Sequence, residues 1–149
     1  MTRFSLDANV LVYAADGRAG TRHARALHVL IAAARRDCVL TLQALGEFFH
    51  TATRKRIVPR RDAAEHLRDL LQIFRTVAAD AEAFRAALEW AERGRRSFWD
   101  GVLVATLASA GCEVLLSEDM QGGARFGSVT ILDPFVGDEL PEPVAALLR

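Results

Sequence analysis

Phe4-Ser5-Leu6-Asp7-Ala8-Asn9-Val10 is the stretch on which the reading of this chain turns. Phe4 to Leu6 is an apolar run of strand length that stops at a carboxylate. Asn9 to Ala15 is apolar again and reads as a helix, with Asp7 or Asn9 as its cap. A strand delivering a carboxylate to the start of a helix is the opening of a β–α unit, and the pattern continues outward from it.

Asp16-Gly17 and Gly20 mark a loop, and Thr21 to Arg36 follows as a helix with Thr21 as its cap. Its apolar face is Ala24, Leu27, Val29, Leu30, Ile31 and Ala34. Cys38 to Thr41 is a second strand, Leu42 to Lys55 a helix, and Pro59 a break. Arg61 to Phe74 and Asp80 to Arg93 are further helices, the latter capped by Asp80. Ser97 opens a helix that runs to about Ala110, where Gly111 stops it. Glu113 to Leu116 reads as a strand, Ser117 to Gly123 as a loop, Val129 to Leu132 as the last strand, and Pro141 to Leu148 as a terminal helix. Short apolar strands alternating with helices predict a three-layer α/β/α sandwich around a central parallel sheet. A chain of 149 residues fits one such domain, spanning 1–149.

Composition excludes some classes. Half of the residues are hydrophobic (51%) and 26% are charged, which argues against a disordered chain. No apolar run approaches the ~20 residues of a membrane helix, and the N-terminus lacks the apolar stretch of a secretory signal. The expected location is the cytoplasm, with Cys38 and Cys112 as buried free thiols. Formal net charge is zero, but its distribution is uneven. Thr51 to Arg75 holds seven basic residues against three acids, whereas Cys112 to Arg149 holds seven acids against two arginines. Such asymmetry can set a basic face for phosphates beside an acidic site.

Ligands of parallel α/β sheets bind beyond the carboxyl ends of the strands. Asp7 ends the first strand, and Ser117, Glu118 and Asp119 come directly after Glu113–Leu116, so two acidic segments reach one sheet edge from distant parts of the chain. Asp100 shares a helical stripe with Leu103, Val104, Leu107 and Ala108, which places it toward the core. A carboxylate there needs a partner or a metal, although Ser97-Phe98-Trp99-Asp100 also resembles a capping box. Glu47 lies on a polar stripe with Gln43, Thr51 and Arg54, which by itself is an ordinary solvated face. Four acids gathered at strand ends and first helical turns repel one another without a cation. Magnesium, or manganese, suits carboxylate oxygens and keeps waters for a substrate phosphate. No His or Cys spacing suggests zinc, and His23, His28, His50 and His66 read as ordinary helix residues.

In order and spacing, Leu6-Asp7-Ala8-Asn9-Val10-Leu11, then Glu47, then Phe98-Trp99-Asp100, then Leu116-Ser117-Glu118-Asp119-Met120 resemble the PIN domain, and more narrowly the VapC-type toxins of bacterial toxin–antitoxin pairs. The resemblance runs over nearly the whole chain. It implies divalent-metal-dependent cleavage of RNA, a homodimer, and a small antitoxin encoded alongside that blocks the site. Carried over by position, it makes Asp7, Glu47, Asp100 and Asp119 the metal-binding and catalytic acids. Asn9 and Ser117 become the polar residues that orient those carboxylates or bound water, and Glu118 matches the motif without a role.

Arg93, Arg95 and Arg96, just before Asp100, are candidate holders of flanking phosphates. Phe98 and Trp99 are expected to pack in the core rather than stack on a base. Two other readings stand beside this one. A magnesium-dependent phosphatase would want a second Asp two residues after the first and a downstream Lys, but Asn9 holds that position and Lys55 is the only lysine. A degenerate PIN-like module kept for binding or dimerisation would be expected to have lost one of the four acids, and none is lost.

Overall fold

A computed structural model describes all residues from Met1 to Arg149. Strand β1 (Phe4–Leu6) leads into α1 (Ala8–Ala15), followed by α2 (Thr21–Ala33), β2 (Val39–Thr41), α3 (Leu42–Arg54), α4 (Arg60–Ile73) and β3 (Arg75–Val77). Then come α5 (Ala81–Glu92), α6 (Phe98–Ser109), β4 (Val114–Leu116), β5 (Arg125–Phe126), β6 (Val129–Leu132) and α7 (Glu142–Leu148). The strands pair in the order β1-β4-β6-β5, with β2 and β3 as a second pair. An isolated parallel bridge between Phe4 and Cys38 ties that pair to β1.

Strand alternation explains the layers. Neighbouring residues of a strand point to opposite faces: Leu116 joins the buried cluster of Phe4, Leu6, Val10, Leu11 and Phe48, whereas Leu115 joins that of Val104, Leu107, Val129 and Ile131. Helices α1 to α4 and α7 cover the first face and α6 the second. The architecture is therefore the expected α/β/α sandwich. No helix is long and apolar enough to cross a membrane.

Several expectations need correction. The sheet is only mostly parallel, because β5 pairs antiparallel with β6 through Arg125–Thr130 and Phe126–Val129. β5 is two residues long and β3 has an exposed Arg75, so neither leaves an apolar signature. Thr21 does not cap α2. Gly20 takes that position at φ +65°, which suits a residue without a Cβ, and α2 ends at Ala33 rather than Arg36. Thr41, read as a strand residue, also caps α3 by accepting the Ala44 amide at 3.0 Å. Asp80 and Ser97 cap α5 and α6 as expected, and Gly111, at φ +78°, turns the chain after α6. Cys38 and Cys112 are free and buried. Burial pushes the Cys112 thiol up to about 11 and Cys38 higher still.

Candidate functional site

β1 and β4 are parallel neighbours, with Leu6 opposite Leu116, so the residues just beyond them emerge side by side. Asp7 is 7% exposed, and its Oδ1 accepts the Ala8 amide at 2.8 Å while Oδ2 accepts the Ser117 hydroxyl at 2.8 Å. It thus caps α1 and at the same time meets Ser117 from beyond β4. Asn9, at the start of the same helix, donates from Nδ2 to Ser117 Oγ and to Asp119 Oδ2, both at 3.2 Å, and its Oδ1 accepts the Glu118 amide at 3.2 Å. The structure brings Asp7, Asn9, Ser117 and Asp119 into one hydrogen-bonded set.

Burial pushes the Asp7 carboxyl up to about 6, against the downward pull of the Ser117 and Ala8 bonds. The negative charges of Glu47 and Asp119 push it further in the same direction. Glu47 therefore faces the set from α3, where it is exposed and its Oε1 accepts Gln43 Nε2 at 3.3 Å. A cleft of about 470 Å³ between α1 and α3 is lined by Asn9, Tyr13, Glu47, Thr51, Lys55 and Asp119 among others.

Asp100 stands differently. Ser97 Oγ accepts the Asp100 amide at 3.2 Å, but no reciprocal bond runs from the Asp100 carboxylate to the Ser97 amide. The carboxylate has no hydrogen-bond partner within the chain, is half-buried rather than desolvated in the core, and does not line the α1–α3 cleft. Gln43 runs between Glu47 and the residue before Asp100, its Nε2 donating to Glu47 Oε1 at 3.3 Å and to the Trp99 carbonyl at 3.0 Å.

Around α6 the picture also shifts. Arg93 and Arg95 sit exposed on the turn before α6, while Arg96 lies over the Phe126 ring at 4.5 Å, a contact that occupies its guanidinium. Trp99 is 58% exposed rather than packed in the core, set edge-on against Phe84 and Phe98. Glu118 is occupied on both oxygens, by the Tyr13 hydroxyl at 2.6 Å and Arg22 Nε at 2.7 Å. Sequence reasoning passed over Tyr13 and Lys55. The visible signal for Lys55 was its place four residues after Thr51 and eight after Glu47, on one helical face.

The donors gathered here are carboxylate, amide and hydroxyl oxygens, which suit a hard divalent cation. No three His, Cys, Asp or Glu side chains stand close enough to enclose a metal ion. The set therefore fits an ion held by one or two carboxylates and completed by water, not a closed protein cage.

A parallel sheet with acids converging beyond its strand ends defines a class of small α/β domain, and the PIN domain model matches residues 5–121, so the chain belongs to the PIN-domain family. The fold is also that of several solved structures. VapC20 of Mycobacterium tuberculosis, described as a sarcin-ricin loop cleaving toxin, superposes with a TM-score of 0.63 at 17% identity, covering 78% of this chain and 89% of that one. The DNA-bound VapBC of Salmonella typhimurium gives 0.64 at 15% identity, covering 89% and 98%. PAE2754 of Pyrobaculum aerophilum gives 0.57 at 20% identity, covering 88% and 90%. No curated protein matches the chain in sequence.

Proposed function

We propose that this chain is a single-domain, divalent-metal-dependent endoribonuclease, the cytoplasmic toxin of a toxin–antitoxin pair that works as a homodimer. The observation that carries the nuclease reading is the Asp7 carboxylate, buried at the end of β1 and pushed up to about 6, with Glu47 and Asp119 bearing on it from two other segments. A buried carboxylate with two acids beside it is costly unless a cation offsets the charge.

Of the acids Asp7, Asp119, Glu47 and Asp100, one or two would hold Mg2+ or Mn2+ directly and the others would act through its water shell. Such an ion, when bound, would lower the pKa of a water and polarise the scissile phosphate. The chain's own residues do the rest. Ser117 and Asn9 fix the orientation of Asp7 and Asp119 through the bonds described above. Glu47 and Asp119, which both line the cleft, would accept a proton from an attacking water. Toxin and antitoxin roles rest on the fold shared with the VapC and VapBC structures.

The test is cleavage of RNA by the purified protein with Mg2+ or Mn2+. Cleavage is expected to stop in EDTA and to be abolished by Asp7→Asn and by Asp100→Asn while the fold survives. Undiminished cleavage by both variants in EDTA overturns the reading. One observation favours an alternative, an inactive PIN-like module kept for binding or dimerisation: Asp100 does not line the cleft with Glu47 and Asp119. Titration of Mn2+ by calorimetry separates the two, because the module would take up no ion at Asp7.

A further inference from the structure

The cleft between α1 and α3 does not end at its acids. One of its walls is a single face of α3, on which Glu47, Thr51 and Lys55 succeed one another a turn apart. Lys55 stands about 12 Å along the helix axis from Glu47. It also lines a second hollow of about 430 Å³, formed by Asp16, Gly17 and Arg18 after α1 and by Lys55, Arg56 and Ile57 at the end of α3.

Three cations thus meet at the end of the cleft remote from the acids. Arg18, Lys55 and Arg56 are all exposed, and none is neutralised within the chain, whose ion pairs engage Arg3, Arg22, Arg68, Arg85 and Arg149 instead. The acid among them, Asp16, turns its Oδ1 to the Arg18 amide at 3.0 Å.

Unpaired surface cations are ordinary, but the backbone here is not. Arg56 holds φ +54°, the one residue other than glycine in the left-handed region. The chain closes α3 there, with the Ile57 amide bonded to the Ala52 carbonyl at 2.9 Å, a turn that glycine makes without strain. Favourable charge at the helix C-terminus is already supplied by Arg54 and Lys55, so the macrodipole does not call for a third cation in a strained position. A side chain kept where the backbone disfavours it points to a use for that side chain.

We propose that Arg18, Lys55 and Arg56 form a phosphate-binding subsite that holds the RNA backbone at the end of the cleft remote from the acidic centre, independently of the metal ion. The inference rests on the ribonuclease reading and adds to it where the substrate is gripped. The acids repel phosphate until a cation is bound. The three basic residues attract it at the other end, and the strand is thereby laid along α3 past Thr51 toward Glu47.

The experiment is binding of a labelled single-stranded oligoribonucleotide to the full chain in EDTA, by fluorescence anisotropy between about 50 and 200 mM salt. The wild-type protein binds without metal. Arg18→Gln and Lys55→Gln each flatten the salt dependence by about 0.7 in log–log slope, and together they cost about tenfold or more in affinity. Arg56→Gly binds more weakly yet melts higher, a split that a purely structural arginine would not give. Unchanged affinity in the Arg18→Gln/Lys55→Gln protein, or no wild-type binding in EDTA, overturns the subsite. Cleavage of the same RNA with Mn2+ keeps the two ideas apart. Normal KM in the double variant sinks the subsite alone, whereas failure of the wild type to cleave, with binding still lost in the variants, sinks the nuclease alone.

Discussion

Ser117 donates its hydroxyl hydrogen to Asp7 Oδ2 at 2.8 Å, joining the ends of two adjacent strands whose residues lie 110 apart in the chain. The same oxygen accepts Asn9 Nδ2 at 3.2 Å and the Met120 amide at 3.3 Å, which exhausts a hydroxyl's one hydrogen and two lone pairs. Ser117→Ala leaves three partners without it at a position that is fully buried. The expected loss is about 1–3 kcal/mol, read as a melting temperature lower by roughly 2–4 °C per kcal/mol. The Asp7 carboxyl also rises further, since the Ser117 bond holds it down. An unchanged melt would mean that the bond is not made in solution.

Asp7→Asn should stabilise the metal-free protein, and the gain should depend on pH. A carboxyl at about 6 in the fold and 3.8 outside it binds more protons when folded. Stability contributed by that proton is present below pH 3.8 and is lost as pH rises through 6. Above that window the ionised group costs about 3 kcal/mol. In EDTA the Asn variant should therefore melt several degrees higher at neutral pH, with the difference shrinking toward pH 4. Part of the gain is offset because Asn Nδ2 meets an Oγ that already accepts two donors. Added Mn2+ should reverse the order by raising the wild-type melt alone. A gain that is the same at both ends of the pH range would refute the account.

Asp7, Asn9, Ser117 and Asp119 were legible because parallel neighbours deliver the residues beyond their carboxyl ends to one edge, and a short apolar run ending in a polar residue is easily seen. Asp100 was less so. Of its stripe Leu103, Val104 and Leu107 are buried but Ala108 is exposed, and a first-turn residue precedes the buried run that starts at Gly101, so its carboxylate remains half-exposed. Trp99 misled for the same reason, with Phe84 of α5 its partner instead of the core. The approach of Glu47 and Lys55 to α1 depends on how α3 lies against α1, and no local pattern encodes that. β3 and β5 leave no pattern, because one exposed and two half-exposed residues and a two-residue hairpin arm carry no period.

Glu118 is a tether rather than a free ligand, and the chain's single tyrosine reports on it. Burial, then the bond and charge of Glu118, push the Tyr13 phenol up to about 12 from 10.0. Ultraviolet titration of the folded wild type should therefore show ionisation delayed beyond the ordinary tyrosine range, and Glu118→Ala should bring it only part of the way back, because burial still holds it up. The exposed Arg22 contributes little to stability by itself, so the variant's melt should fall by no more than about 1 kcal/mol equivalent. Equal titration curves in the two proteins would show that Glu118 does not hold Tyr13.

Gly101 comes directly after Asp100 and sets how closely α6 approaches α5. A Cβ at that position would stand 3.1 Å from Ala87 Cβ and 3.2 Å from Ala87 Cα, with Trp90 at 3.3 Å. The first could yield slightly, but the second is backbone, so a larger side chain must move one helix against the other. Gly101→Val is expected to cost roughly 1–3 kcal/mol from overpacking. Gly101→Ala gains up to about 1 kcal/mol in helix propensity while meeting the same wall, and should fall between wild type and Val. Because α6 carries Asp100 in its first turn, the Val variant should also lose RNA cleavage beyond what its melt explains, measured well below its melting temperature. A Val variant that melts with the wild type would show that the two helices have room to spare and that Gly101 does not fix the position of Asp100.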